Sequence, residues 1–145
     1  VPACPLCSSD GGRLVWRGDR LRVILPDEPD YPGFTRVVWN AHVAEMTDLQ
    51  AVDREALMRA VWAVEAAQRE ALAPDKINLA SFGNMVPHLH WHVVPRWRDD
   101  RHFPESVWGP AATGRNEAVG ARRRAVRERL PAYLALLQGL RIEFG

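Results

Sequence analysis

The sequence predicts an α+β domain built on a mostly antiparallel sheet of about five strands. Three observations carry that expectation. Short alternating runs come before and after one long segment of helical period, in the order strands, helix, strands, helix. Turn residues part the first two strands closely enough for a meander. The chain has 145 residues, of which 47% are hydrophobic and six are Trp, enough for one ordinary core.

Each element has its own signal. Arg13–Arg17 and Leu21–Leu25 read as short strands around the turn Gly18-Asp19. Pro26-Asp27-Glu28-Pro29-Asp30-Tyr31-Pro32-Gly33 is a stiff acidic loop, because its three prolines fix φ. Phe34–Trp39 follows as a third strand. Thr47-Asp48-Leu49-Gln50 fits a capping box, and Leu57, Val61 and Val64 then recur at helical spacing, with Leu49, Met58 and Trp62 widening the stripe until Pro74 stops it. Lys76–Ala80 reads as a strand, Ser81–Asn84 as a loop of small residues, and Met85–Pro95 as a returning strand. Arg96–Gly114 has no period, and a connection that long inside a compact domain is usually functional. Glu117–Leu137 is helical by pattern, with Pro131 expected to kink or split it.

Charge narrows the function classes. Nineteen basic residues against eighteen acidic ones leave a net charge of +1, which argues against a dedicated nucleic-acid binder. Lys76 is the only Lys, and this skew toward Arg beside abundant Ala reads as codon bias, so Arg counts carry no functional signal. Arg122-Arg123-Arg124, with Arg127 and Arg129, reads as a solvated helix face. No apolar run approaches the ~20 residues a bilayer span needs. The start Val1-Pro2-Ala3-Cys4 has no basic-then-apolar leader. The expectation is a soluble cytoplasmic protein, one domain over 1–145.

Two motifs carry chemistry. Cys4-Pro5-Leu6-Cys7 has the spacing of a metal half-site or a redox pair, and the turn Ser8–Gly12 that follows favours metal. His88-Leu89-His90-Trp91-His92 places three imidazoles on one face of a strand, with Leu89, Trp91 and Val93 on the other. At ~3.3 Å per residue His88 and His92 sit roughly 13 Å apart, too far to share one metal with bonds of ~2.0 Å. Such a row suits phosphate chemistry. A neutral imidazole attacks phosphorus, an imidazolium beside it donates to phosphate oxygens, and a near-neutral pKa serves both acid and base roles.

Residues 83–96, Gly-Asn-Met-Val-Pro-His-Leu-His-Trp-His-Val-Val-Pro-Arg, resemble the signature of the histidine-triad (HIT) superfamily, His-φ-His-φ-His-φ-φ with φ apolar. The Cys-x-x-Cys start, the Pro-Gly before the third strand, and His42 resemble its zinc-containing bacterial branch. The resemblance covers about residues 4–110 and leaves 111–145 as a C-terminal extension. It implies a HIT-like fold, a homodimer, and cleavage at the α-phosphate of a purine nucleotide through a covalent nucleotidyl-histidine. His90 would be the nucleophile, His92 would bind phosphate oxygens, and His88 would orient the row or bind metal. The implied ligand set is Cys4, Cys7, His42 and His88, and four N/S donors make a closed, structural zinc site.

Departures from the family pattern touch the substrate side. Gly83-Asn84 stands where the family has Gly-Gln, so the polar residue at the scissile oxygen is Asn84 or Ser81. Pro26 stands at the ribose-binding Asp, with Asp27 or Asp30 as substitutes. Phe34 replaces a His and serves either as core or as a base-stacking surface. Arg96, Arg98, Asp99, Asp100, His102 and Trp108 are candidates in the segment that tunes leaving groups in the family, with Trp108 expected at the substrate. The reading is a hydrolase of dinucleoside polyphosphates or nucleoside phosphoramidates. Its alternatives are nucleotidyl transfer, a nucleotide-binding module with little turnover, and a zinc module.

Overall fold

Alternating β-branched and aromatic residues assemble the sheet of the computed structural model, which describes residues 1–144. The strands are β1 (Arg13–Arg17), β2 (Leu21–Leu25), β3 (Thr35–Trp39), β4 (Lys76–Ala80) and β5 (His90–Arg96). They form one sheet in the order β1-β2-β3-β5-β4, with every neighbouring pair antiparallel. The helices are α1 (Pro5–Ser8), α2 (Ala51–Leu72) and α3 (Asn116–Gln138). This is the α+β architecture the sequence predicts. No helix among the described residues is long and apolar enough to cross a membrane.

Alternation divides the sheet into two unlike faces. Val23, Val37, Trp39 and Val93 join Leu57, Val61 and Val64 of α2 and Val126 and Tyr133 of α3 in the main core. The opposite face carries Ile24, Val38, Arg36, His90 and His92, and the N-terminal segment covers part of it with Cys4 and Leu6. β2 is therefore buried at every position, with one face under the helices and the other under the N-terminus. Where the helices cross the sheet, Gln68 donates to the carbonyls of Gly33 (3.2 Å) and Val93 (2.9 Å), and Tyr133 and Thr35 share a 2.6 Å hydrogen bond.

Several elements depart from the sequence reading. β5 begins at His90 rather than Met85, since Pro87 has no N–H for the ladder and the His88 N–H turns back to Val86. Gly83, at φ +75, lets this connecting loop reverse. The capping box belongs not to Thr47 and Gln50 but to Glu45 and Asp48, around a 3₁₀ turn over Met46–Asp48. Gln50 caps α2 without a side-chain bond. Trp62 does not widen the buried stripe; it is 54% exposed, because the buried face of α2 centres on Ala60, Val64 and Ala67. α3 passes through Pro131 as one helix.

The stretch after β5 has neither helix nor strand, yet it is tied down. The Asp100 carboxylate accepts from Arg96 Nε (2.8 Å), Tyr31 Oη (3.2 Å) and the N–H groups of Trp97 (3.1 Å), His102 (3.1 Å) and Phe103 (2.7 Å). Arg115 donates to the carbonyls of Arg98, Asp100 and Phe103. Part of the arginine run also grips this side of the molecule instead of facing solvent alone: Arg122 pairs with Asp99 at 2.8 Å and Arg123 with Asp30 at 3.2 Å.

Candidate active site and metal centre

β5 presents His90 and His92 on the face away from the helices, with ring centroids 5.0 Å apart. Their partners assign the tautomers. His90 Nδ1 lies 2.6 Å from the carbonyl oxygen of His88 and must donate to it, which leaves the Nε2 lone pair free. Arg36 Nε, across the ladder on β3, donates to His92 Nδ1 at 3.3 Å, so His92 carries its proton on Nε2. One imidazole thus offers a lone pair and its neighbour an N–H.

Both rings are neutral near pH 7. Burial pushes His90 below the ordinary histidine value, and the Arg36 charge adds to the effect against the opposing His88 hydrogen bond. Burial, Arg36 and His90 together take His92 down to about 3. The expected imidazolium donor is corrected accordingly: His92 donates as a neutral N–H, because it lies beneath Trp108 and beside a guanidinium.

The rings open on a cleft of about 520 Å³ lined by Arg36, Phe82, Asn84, His90, His92 and Trp108 among others. Trp108 stands edge-on to His92 at 4.9 Å between centroids and to Phe82 at 5.1 Å. Trp108 and Phe82 are 50% and 60% exposed, so both keep aromatic surface free for a ligand. Phe34 does not: at 2% exposure it is packed below His92 and Trp108 and has no face for a base.

The other predicted residues separate. Asn84 lines the cleft. Ser81 donates its hydroxyl to the His90 carbonyl at 2.7 Å and lines an adjoining cavity of about 300 Å³, which shares Phe82, Gly83 and His90 with the cleft. Asp27 is exposed and lies outside the cleft, while Asp30 is held by Arg101 and Arg123. Glu28, not singled out in the sequence, lines a small cavity beside Phe34 and Trp108. Arg36 has no local sequence signal either, because only the Arg36–His92 register brings it to the site. Of the later candidates, Arg96 and Asp100 pair with each other, each 2% exposed, and serve the loop.

A second cluster lies at the edge of the same face. The donor atoms of Cys4, Cys7, His42 and His88 all lie within 4.8 Å of one another. Sγ–Nδ1 separations are 3.4 Å for Cys4–His88, Cys7–His88 and Cys7–His42, and the two Nδ1 atoms are 3.3 Å apart. A tetrahedral zinc with bonds of ~2.3 Å to sulfur and ~2.0 Å to nitrogen requires edges of roughly 3.5 Å and 3.3 Å. The donor set is therefore compatible with zinc. His88 Nε2 donates to the Trp39 carbonyl at 2.6 Å, which fixes the ring and leaves Nδ1 facing the other three donors.

Comparison with known proteins agrees with this geometry. The family model described as HIT domain matches residues 11–99. An AP-4-A phosphorylase of Mycobacterium tuberculosis is 32% identical over 111 residues, which is 72% of this chain but only 57% of that protein, so this chain spans less than two thirds of its length. Among solved structures, a histidine triad protein from Bradyrhizobium japonicum is similar with a TM-score of 0.64 at 27% identity, covering 83% of this chain and 91% of that one. A Zn-bound histidine triad family protein from Mycobacterium smegmatis shares the fold with a TM-score of 0.58 at 24% identity, covering 90% of this chain and 97% of that one.

Proposed function

This chain belongs to the HIT domain family, and from that premise we propose that it is an enzyme that cleaves at the α-phosphate of a purine nucleotide through a covalent nucleotidyl-His90 intermediate. The observation that carries the reading is the pair of tautomers: a bare Nε2 on His90 beside an Nε2–H on His92, both at the floor of a cleft.

His90 Nε2 attacks the α-phosphorus and displaces the rest of the substrate. His92 Nε2–H donates to a phosphate oxygen, and its bond from Arg36 keeps that proton where the charge develops. Asn84, which lines the cleft, would contact the scissile oxygen. Trp108 and Phe82 supply the aromatic surface for the base. Water then releases the nucleotide from His90. The substrate is a dinucleoside polyphosphate or a nucleoside phosphoramidate.

Cys4, Cys7, His42 and His88 would hold a zinc ion, whose four protein donors make it structural. Through His88 it would fix the carbonyl that sets the His90 tautomer. A homodimer is proposed through the free edge strand β4 and neighbouring α2, where Leu79 and Trp62 are exposed.

The test is a turnover panel of diadenosine polyphosphates, adenosine and guanosine phosphoramidates and a nucleotide sugar, with wild type and His90→Asn. Turnover lost in the variant supports the reading. Binding without turnover in wild type points instead to a recognition module. The name of the mycobacterial relative favours a second reading, in which phosphate replaces water as the acceptor. Running the panel with inorganic phosphate separates the two, because phosphate attack on nucleotidyl-His90 yields a nucleoside diphosphate and water yields the monophosphate.

A further inference from the structure

Arg36 is positioned for more than holding His92. It faces His92 directly in the β3–β5 register, so it rises from the imidazole face. It is half-buried, and its guanidinium lies 5.6 Å from the centroid of the Phe34 ring. Among the described residues only Nε is used, on His92 at 3.3 Å. Among the described residues no protein acceptor takes its two terminal nitrogens and no carboxylate pairs with it, and Glu28 acts on it at longer range. The fully buried arginines and Arg122 differ: Arg22 donates to Asn40 and Leu6, Arg96 to Asp100, Asn78 and Glu105, and Arg122 to Asp99. No other Lys or Arg among the described residues lines the cleft. A desolvated charge with an open fork matches two oxygens of an anion.

We infer that Arg36 selects the leaving group: its open guanidinium edge receives the phosphate that departs from the α-phosphorus, which makes polyphosphate anhydrides, rather than phosphoramidates, the substrates of this site. The inference rests on the covalent chemistry proposed for His90. In the first step the His90 Nε2 lone pair forms an N–P bond, the bridging P–O bond breaks, and its electron pair stays on the departing oxygen. The imidazole gains one positive charge and the leaving phosphate one negative charge, which the guanidinium stabilises. An amine leaves a phosphoramidate only after taking a proton, and the same guanidinium repels that cationic nitrogen. Water then attacks phosphorus, the N–P electrons return to Nε2, and a proton goes to solvent.

The experiment compares kcat/KM for diadenosine tetraphosphate with kcat/KM for adenosine 5′-phosphoramidate in wild type, Arg36→Lys and Arg36→Ala. Whatever Arg36 does through His92 acts on the α-phosphoryl group both substrates share and cancels in their ratio. The ratio, polyphosphate over phosphoramidate, falls ~30-fold or more in Arg36→Ala and by less in Arg36→Lys, which keeps the charge without the fork. Equal losses on both substrates, or none, overturn the inference. Arg36→Gln keeps a polar, uncharged side chain with the same stem to Cδ and carries the same expectation if Arg36→Ala does not fold. Calorimetric binding of ATP and AMP judges the residue without turnover: wild type holds ATP more tightly than AMP, and Arg36→Ala removes the margin. An unchanged margin overturns the inference even where the His90 chemistry stands. A wild type that turns over neither substrate contradicts the proposed function instead.

Discussion

The nucleophile role proposed for His90 requires the tautomer that leaves Nε2 bare, and the carbonyl of His88, 2.6 Å from Nδ1, selects that tautomer. His90→Asn removes the attacking atom while leaving an amide on the strand, so turnover of the folded variant is expected to fall by ~10³-fold or more with the fold intact by circular dichroism. Trp108 lies above His92 with half of its surface free. Loss of one base–aromatic contact is worth about 1–3 kcal/mol, so Trp108→Ala is expected to raise KM with a smaller change in kcat, read from steady-state kinetics. At this scale the sequence was legible where function is written locally. The triad and the Cys-x-x-Cys pair need only their own spacing to be seen. Arg36 needed a register between strands more than fifty residues apart in sequence, and the loop of Asp27 and Asp30 is tied through Asp30 to Arg101 and Arg123, which lie far along the chain.

Two devices act at the level of elements. The first joins the N-terminal segment to β5: α1 carries Cys7, Cys4 precedes it, and His88 stands two residues before β5. Cys4→Ser is expected to lower the melting temperature by roughly 10 °C and to reduce turnover of the folded fraction far less than His90→Asn does. Equal losses of turnover would make the metal catalytic. The second is the Asp100 knot, which holds the loop that carries Trp108. Burial alone would raise the Asp100 carboxyl, but the Arg96 hydrogen bond and the N–H groups of Trp97 and Phe103 outweigh it and set it below the ordinary carboxylate range. A carboxylate depressed on folding contributes stability that is complete above its unfolded value of ~3.9 and is lost as pH falls through the folded one. Asp100→Asn leaves the Arg96 charge buried without its partner, a change that costs about 3–5 kcal/mol in such pairs. The gap in melting temperature between wild type and Asp100→Asn is therefore expected to be wide at pH 7 and to narrow below pH ~4. A gap that does not change with pH would show that the knot works without the charge. The sequence showed this loop only as a long aperiodic stretch, because its order comes from one carboxylate collecting backbone N–H groups, which leaves no periodic signature.

Across the whole molecule, the two faces of the sheet divide the labour. Helices α2 and α3 close one face with an apolar core, and the other face is left to imidazoles, thiols and a guanidinium, partly covered by the N-terminus. The fold class was legible because alternation and helical period are local, and the long helix α2 lies where its apolar repeat places it. The start of β5 was not, since Pro87 ends the ladder although the residues around it are strand-forming. Trp62 was assigned to the core but is exposed, and with Leu79 on edge strand β4 it marks the surface proposed for dimerisation. Light scattering is expected to give twice the 16.4 kDa chain mass for wild type and a smaller species for Trp62→Glu combined with Leu79→Glu. A monomeric wild type would remove the proposed interface. The claim on which all of this turns is the covalent passage through His90, and the stereochemistry at phosphorus tests it most directly. With a dinucleoside polyphosphate made chiral at the α-phosphorus by sulfur and hydrolysed in ¹⁸O-water, two successive in-line displacements predict retention of configuration. Inversion would mean that water attacks the substrate directly and would contradict the nucleotidyl-His90 account.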